Sequence, residues 1–127
     1  MGSETYKQFE NDFPQKHALN VVLTKKKNLL NQHINGAIFT DKSPNDVLKM
    51  LSNMKYKNAC FIGGEMLNTS IIKDNLVDEI YVDVHPLLIG EGKKLFGNIK
   101  GLFRRLKLLD VNKLNKGLVL LHYKVLK

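Results

Sequence analysis

Residues 58–97, NACFIGGEMLNTSIIKDNLVDEIYVDVHPLLIGEGKKLFG, decide the fold that this sequence predicts. Asn58 to Ile62 is a short apolar run that predicts a buried strand, and two glycines end it. A helix is expected after Gly63-Gly64. Glu79 to Leu88 then predicts a second strand, because apolar and polar residues alternate along it before a glycine-rich turn.

The glycine pair is the first candidate for a binding site. Gly63 and Gly64 remove two Cβ atoms where strand becomes helix, so a ligand can come close to the backbone. The free N–H groups at a helix start attract phosphate. This is the physics of a dinucleotide site, although a tight strand–helix turn without a ligand uses the same residues.

The flanking sequence predicts further helices and strands. A short helix is expected over 2–11, and Ser43 and Pro44 are typical of the N-cap and first position of another helix. Apolar residues predict strands over 19–24 and 37–40, with a loop over 25–36 between them. A hairpin is expected from 106–111 and 118–126, which flank Asn115-Lys116-Gly117. This order predicts an α/β sheet, mainly parallel with an antiparallel edge.

The order of motifs resembles a known family. GG-x-x-L-N, then L-V-D-E-I, then H-P-x-x-x-G-x-G-x-x-L-F is similar to the core of the dihydrofolate reductase superfamily, in the riboflavin-biosynthesis reductase (RibD C-terminal) branch. The likeness extends to LNVVLT (19–24) and GSETY (2–6). It implies one domain over 1–127 with a dihydrofolate-reductase-like α/β fold, in which a mixed, mainly parallel sheet is flanked by helices and ends in an antiparallel hairpin.

The resemblance also exposes a gap at the N-terminus. In these reductases a strand, a loop, a helix and a second strand precede the segment that matches residues 2–6. We therefore expect a chain that is incomplete at its N-terminus. Removing a central strand should leave unpaired edges and exposed apolar faces on its neighbours.

The resemblance implies NADPH as cofactor, which would supply the hydride while the protein holds it near the acceptor carbon. Thr24 and Lys25 or Lys26 are candidates for a 2′-phosphate contact. Ser3 replaces the usual arginine, so one charge-assisted contact worth about 1.5–3 kcal/mol is lost. The candidate cofactor-binding residues are Gly2, Thr5, Leu23, Thr24, Lys25, Gly63, Gly64, Glu65, Met66 and Leu67.

Two residues are candidates for a substrate site. Phe9 matches an apolar wall residue of the family, although a core aromatic is an equal alternative. Ile62 stands where riboflavin-pathway reductases usually have glutamate, and Ala18 stands where folate-reducing members carry arginine. The sequence thus departs from both known substrates at these positions, and the resemblance implies a pterin- or pyrimidine-like ring as the substrate class. No catalytic residue is identified, and the four histidines lack metal-ligand spacing.

Composition limits the kinds of partner that are expected. The net charge of +8 favours anions, but the basic residues are scattered without interleaved aromatics, so nucleic acid is not the expected partner. No apolar run is long enough for a membrane span. The single cysteine, Cys60, is expected to be buried in a cytoplasmic protein. The alternative to a reductase is a non-catalytic fragment or pseudoenzyme that self-associates through its sheet, and a homodimer is expected.

Overall fold

The computed structural model describes the backbone of residues 1–127 and every side chain except that of Glu10. Short 3-10 turns cover Glu10–Asp12 and Asn115–Gly117. No helix in this described part is long and apolar enough to cross a membrane. The helices and strands are α1 Ser3–Gln8, β1 Asn20–Leu23, α2 Lys27–Leu30, β2 Ala37–Thr40, α3 Pro44–Asn53, α4 Glu65–Lys73, β3 Glu79–Val84, β4 Arg105–Lys113 and β5 Val119–Leu126.

The strands form two separate sheets. β1 and β2 are parallel, with Asn20 beside Ala37 and Leu23 beside Thr40. The second sheet has the order β3-β5-β4 and is antiparallel throughout. The mixed α/β class is confirmed, but its parallel part is smaller than the sequence predicts.

The strand predicted over 58–62 is wrong, and its absence explains the small parallel part. These residues have no strand assignment, and no backbone hydrogen bond joins them to another described residue. Cys60 is exposed, whereas the sequence predicts it to be buried. A strand needs a neighbour to satisfy its backbone groups, and none lies beside this segment. The backbone groups of residues 58–62 therefore stay unpaired within the described chain.

A small aromatic core fixes α1 on the first sheet. Tyr6 and Val22 are buried, and the Tyr6 ring lies edge-on to Phe13 and Phe39, at centroid distances of 4.9 and 5.4 Å. The Tyr6 hydroxyl donates a hydrogen bond to Gln32 Oε1 at 3.1 Å. This packing places the start of α1 next to the carboxyl end of β1.

Local signals in the sequence predict several elements well. The Ser43 hydroxyl accepts a hydrogen bond from the Asp46 N–H at 3.2 Å and caps α3, and Pro44 is its first residue. The predicted hairpin joins β4 to β5, with positive φ at Lys116 and Gly117. The loop predicted over 25–36 contains the one-turn helix α2, which buries Leu29.

The second sheet has one polar and one apolar face. In each antiparallel pair the facing residues point to the same side, so Ile80, Tyr123 and Leu108 share one face and Tyr81, His122 and Asp110 the other. On the apolar face Leu108 and Val111 each remain 49% exposed. This face is incompletely covered by the rest of the described chain.

Candidate functional site

The candidate site is the corner where α4 begins beside α1. Gly64 is the N-cap of α4, and no side chain accepts a hydrogen bond from the first turn. A Cβ added at Gly64 would lie 4.0 Å from Thr5 Oγ1. Apart from the residues that adjoin Gly64 in the sequence, no described atom is nearer. The backbone at Gly64 has φ −83° and ψ 179°, which any residue adopts. Neither packing nor conformation therefore requires glycine at this position.

Gly63 is different, because a side chain there would require its neighbours in α4 to shift. An added Cβ would lie 2.9 Å from Asn68 Oδ1 and 3.0 Å from Leu67 Cδ2. Gly63 is thus explained by the tight turn into α4, whereas Gly64 leaves open space. The resemblance also implies a cis bond between the two glycines, and this is wrong: the cis peptide bond in the described backbone is Phe13–Pro14.

The glycine-rich loop after β3 docks on α4 through two side chains. Thr69 Oγ1 accepts a hydrogen bond from the Gly97 N–H at 2.7 Å and donates one to the Glu65 carbonyl at 2.5 Å. Asn68 Nδ2 donates to the Leu95 carbonyl at 3.1 Å. Sequence reasoning gave this loop no place in the site. The sequence signal that could have indicated a role for this loop is the G-x-G-K-K pattern at 90–94.

The charges near the start of α1 are mostly positive. Glu4 Oε1 and Lys26 Nζ form an ion pair at 2.5 Å. The hydrogen bond from Lys26 is the largest cause that lowers the pKa of Glu4, and the charges of Lys7 and Lys93 lower it further. Lys93 of the glycine-rich loop therefore lies within electrostatic reach of α1. The Glu4 carboxylate is thus within electrostatic reach of three lysines.

The residues at the end of β1 that were predicted to contact the cofactor have different surroundings in the structure. Gly2 forms a parallel bridge with Leu23, and the Leu23 N–H donates to the Met1 carbonyl at 2.9 Å. Thr24 is buried and its Oγ1 accepts from the Lys26 N–H at 3.1 Å, so this hydroxyl stabilises a turn. Lys25 is exposed and forms no ion pair among the described side chains. Lys26, in contrast, is paired with Glu4.

The three predicted residues that open α4 point in different directions. Leu67 is buried in the first turn of α4, where no side chain caps the free N–H groups. Met66 is 88% exposed. Glu65 carries a carboxylate in the first turn of the helix, with its Oε1 near Gly97. All three lie in the first turn of α4, and Glu65 brings a negative charge that the sequence argument did not weigh.

The predicted substrate residues do not lie in the core. Phe9 is the C-cap residue that follows α1 and is 41% exposed, so its alternative interpretation as a core aromatic is not what the structure shows. Ile62 is 44% exposed and lines a cavity of about 390 Å³ together with Leu23. Among the described residues no group of three His, Cys, Asp or Glu side chains could hold a metal ion.

Comparison with known proteins identifies the family. The model of the RibD C-terminal domain matches residues 2–120. The chain therefore belongs to the RibD C-terminal domain family. It is 31% identical over 113 residues to the uncharacterized protein YyaP of Bacillus subtilis (strain 168), covering 86% of this chain and 60% of that protein. The chain thus spans about three fifths of this curated relative.

Solved structures share the fold at low identity. A protein from Shewanella sp. PV-4, whose name links it to riboflavin biosynthesis, has a TM-score of 0.83 at 19% identity, covering 100% of this chain and 72% of its own. RibD from Acinetobacter baumannii has a TM-score of 0.68 at 21% identity, covering 85% and 38%. The diaminohydroxyphosphoribosylaminopyrimidine deaminase/5-amino-6-(5-phosphoribosylamino)uracil reductase of Thermotoga maritima has a TM-score of 0.64 at 13% identity, covering 88% and 32%. The dihydrofolate-reductase-like fold is confirmed.

Proposed function

We propose that the chain is a cytoplasmic NADPH-dependent reductase domain, which acts on a pterin- or pyrimidine-like ring. The observation that carries the proposal is Gly64, where the protein leaves open space at an uncapped helix start. The N-terminus of a nine-residue helix presents free N–H groups and a partial positive charge. Such a surface binds a diphosphate without help from side chains.

The residues at the corner fit a nicotinamide dinucleotide. The N–H groups of Glu65, Met66 and Leu67 would hold the pyrophosphate, and the Thr5 hydroxyl faces the same space. When bound, NADPH supplies the hydride. The protein then has to position the acceptor ring and exclude water, and it needs few reactive side chains to do so. The absence of a predicted catalytic residue is consistent with this chemistry.

The lysines favour NADPH over NADH. Lys25 is exposed and unpaired among the described side chains, and Lys26 lies beside it in an exposed ion pair. The extra 2′-phosphate of NADPH carries nearly two negative charges at neutral pH. A contact with one lysine would therefore strengthen NADPH binding and leave NADH binding unchanged.

The proposed substrate class rests on relatives. The Thermotoga maritima protein bears the name of a uracil reductase, and the Acinetobacter baumannii protein is a RibD. Ile62 lines the cavity beside the glycine turn and offers an apolar wall where that branch usually has glutamate. We therefore propose a planar pterin- or pyrimidine-like ring that packs against this apolar wall.

A thermal-shift titration tests the proposal. NADPH should raise the unfolding midpoint increasingly with concentration, and NADH should do so less at each concentration. The variant Gly64→Ala should lose most of the NADPH-induced rise in the unfolding midpoint. The matched variant Lys25→Gln should lose the preference for NADPH over NADH. Equal midpoints with and without NADPH at millimolar concentration would refute cofactor binding.

A second candidate function is self-association without catalysis. The apolar face of the second sheet supports it, because Leu106, Leu108 and Val111 are each more than 40% exposed. Contiguous exposed apolar side chains mark interaction surfaces. A homodimer formed through this face would be compatible with either function.

A further inference from the structure

The glycine-rich loop, residues 90–97, is fixed at one end and free at the other. At its end the Gly97 N–H donates to Thr69 Oγ1 of α4 at 2.7 Å, and the Leu95 carbonyl accepts a second hydrogen bond from α4 at 3.1 Å. At its beginning, a Cβ added to either of the first two glycines would meet no described atom within 4 Å, apart from the neighbouring residues in the chain. Lys93 lies between the free part and the fixed part.

The fixed end keeps Lys93 close to the start of α4. Lys93 is two residues before Leu95, so at most about 7 Å of backbone separates it from that anchor. The helix residue that holds Leu95 is Asn68, which is about 6 Å along the helix axis from Gly64. A lysine side chain adds a flexible four-carbon stem to this reach. The ammonium group of Lys93 can therefore meet an anion at the start of α4.

The charge of Lys93 also acts on the other side of the corner. The hydrogen bond from Lys26 is the largest cause that lowers the pKa of Glu4. The charges of Lys7 and Lys93 lower this pKa further. Glu4 belongs to the first turn of α1, the helix that begins beside the start of α4. The anchor on α4 and the charge interaction with α1 are separate observations, and both put Lys93 at the corner between the two helices.

To bind a dinucleotide, the corner needs a cation that no carboxylate already holds. Glu4 lies on one side of it, and Glu65 on the other side carries its carboxylate in the first turn of α4. Lys26 is paired with Glu4, so its charge is balanced within the chain. The phosphates of a dinucleotide add further negative charges. Lys93 is exposed and forms no ion pair among the described side chains, so its charge is available to balance them.

We propose that Lys93 binds the diphosphate of the dinucleotide cofactor from the glycine-rich loop. This inference rests on the proposed function, because it assigns a further residue to the same cofactor site. An ammonium group is a compact point charge that suits phosphate oxygens. The diphosphate is common to NADPH and NADH, so Lys93 strengthens the binding of both. It differs in this from Lys25, whose proposed contact is the 2′-phosphate of NADPH alone.

The test compares Lys93→Gln with Lys94→Gln in fluorescence titrations of NADPH and NADH at low and high salt. The two variants change the net charge equally in the same loop, but Lys94 Nζ donates within the loop to Asn98 Oδ1 at 3.5 Å. Lys93→Gln should raise the Kd for both dinucleotides by the same factor, about tenfold, and less at high salt. Lys93→Arg should keep both constants, and Lys94→Gln should change neither by more than about twofold.

A measurement without cofactor checks the position of Lys93. Carbon-detected NMR should show that Lys93→Gln raises the pKa of Glu4, because a neighbouring positive charge is lost, whereas Lys94→Gln leaves that pKa unchanged. An unchanged Glu4 midpoint in Lys93→Gln would overturn the inference.

The titrations separate this inference from the proposed function. If NADPH binds equally well to Lys93→Gln and to the unaltered chain, the inference is overturned while the proposed function stands. A loss of NADPH binding with unchanged NADH binding would also overturn it, and would assign Lys93 to the 2′-phosphate. If neither dinucleotide binds the unaltered chain, the proposed function fails and this inference fails with it.

Discussion

Lys26 Nζ lies 2.5 Å from Glu4 Oε1, and this ion pair joins the chain just after β1 to the first turn of α1. It also removes one of the two lysines that the sequence assigned to a 2′-phosphate. The hydrogen bond to Glu4 is the largest cause that raises the pKa of Lys26. The charge balance of the proposed cofactor site thus depends on a carboxylate that was not among the predicted site residues.

The first prediction concerns this carboxylate. Glu4→Gln should free Lys26 and lower the Kd for NADPH several-fold, while the Kd for NADH changes little. Asp12→Asn is the matched control, because it changes the net charge equally at an exposed side chain without an ion pair among the described residues. Fluorescence titration at two salt concentrations measures both constants. An equal gain in the control would assign the effect to net charge.

The same pair predicts a pH dependence. Because Lys26 lowers the pKa of Glu4, the folded chain favours the carboxylate. The ion pair should therefore be fully formed above the pKa of an ordinary glutamate and be lost as the pH falls through the lowered value. A carbon-detected NMR titration of the Glu4 carboxyl should give a midpoint below that of the same group in the Lys26→Gln variant. Identical midpoints would contradict the ion pair in solution.

The two glycines should differ in what they contribute. Gly63→Ala would force a Cβ within 2.9 Å of Asn68 Oδ1 and should lower the free energy of unfolding by about 1–3 kcal/mol. Gly64→Ala meets no such contact and should cost less than about 1 kcal/mol. Urea denaturation measures both losses of stability. In an NADPH titration the order should reverse, with Gly64→Ala weakening binding more than Gly63→Ala. Equal stability losses would show that Gly64 is also a packing position.

Restoring the family arginine should strengthen cofactor binding. Ser3 is the first residue of α1, and Ser3→Arg would add a guanidinium two residues before Thr5, whose hydroxyl faces Gly64. A charge-assisted contact worth about 1.5–3 kcal/mol corresponds to at least a tenfold lower Kd for NADPH. Ser3→Gln, which has similar length without the charge, should leave the Kd nearly unchanged. Isothermal titration calorimetry distinguishes the two variants.

Thr69 should control the order of the glycine-rich loop. Thr69→Val keeps the shape but leaves the Gly97 N–H without its acceptor, at a cost of about 1–3 kcal/mol. Hydrogen exchange at Gly97 should accelerate, whereas Thr69→Ser should keep the bond and the slow exchange. Slow exchange in Thr69→Val together with fast exchange in Thr69→Ser would mean that the threonine methyl group, and not the hydroxyl, holds the loop.

The apolar face of the second sheet should mediate self-association. Leu108→Lys should shift sedimentation equilibrium towards the monomer, because the side chain is 49% exposed on that face. Asp110→Lys lies on the opposite face of the same strand and is the control. An unchanged association constant for Leu108→Lys would exclude this face as the interface.

The sequence alone determined the elements whose signals are local. Ser43 and Pro44 specify the start of α3, residues 37–40 specify β2, and Lys116-Gly117 specify the hairpin turn, because capping and positive φ depend on a few adjacent residues. The order of motifs also identified the family. These inferences required no knowledge of what lies across space.

Only the tertiary structure decided which of these signals become structure and which residues meet. Residues 58–62 have the composition of a buried strand, yet they stay unpaired because hydrogen bonding in a sheet requires a neighbour that the sequence pattern does not reveal. Glu4 meets Lys26, and Thr5 faces Gly64, across long stretches of chain. Periodicity reports the environment that a segment suits, whereas folding in space decides whether that environment is present.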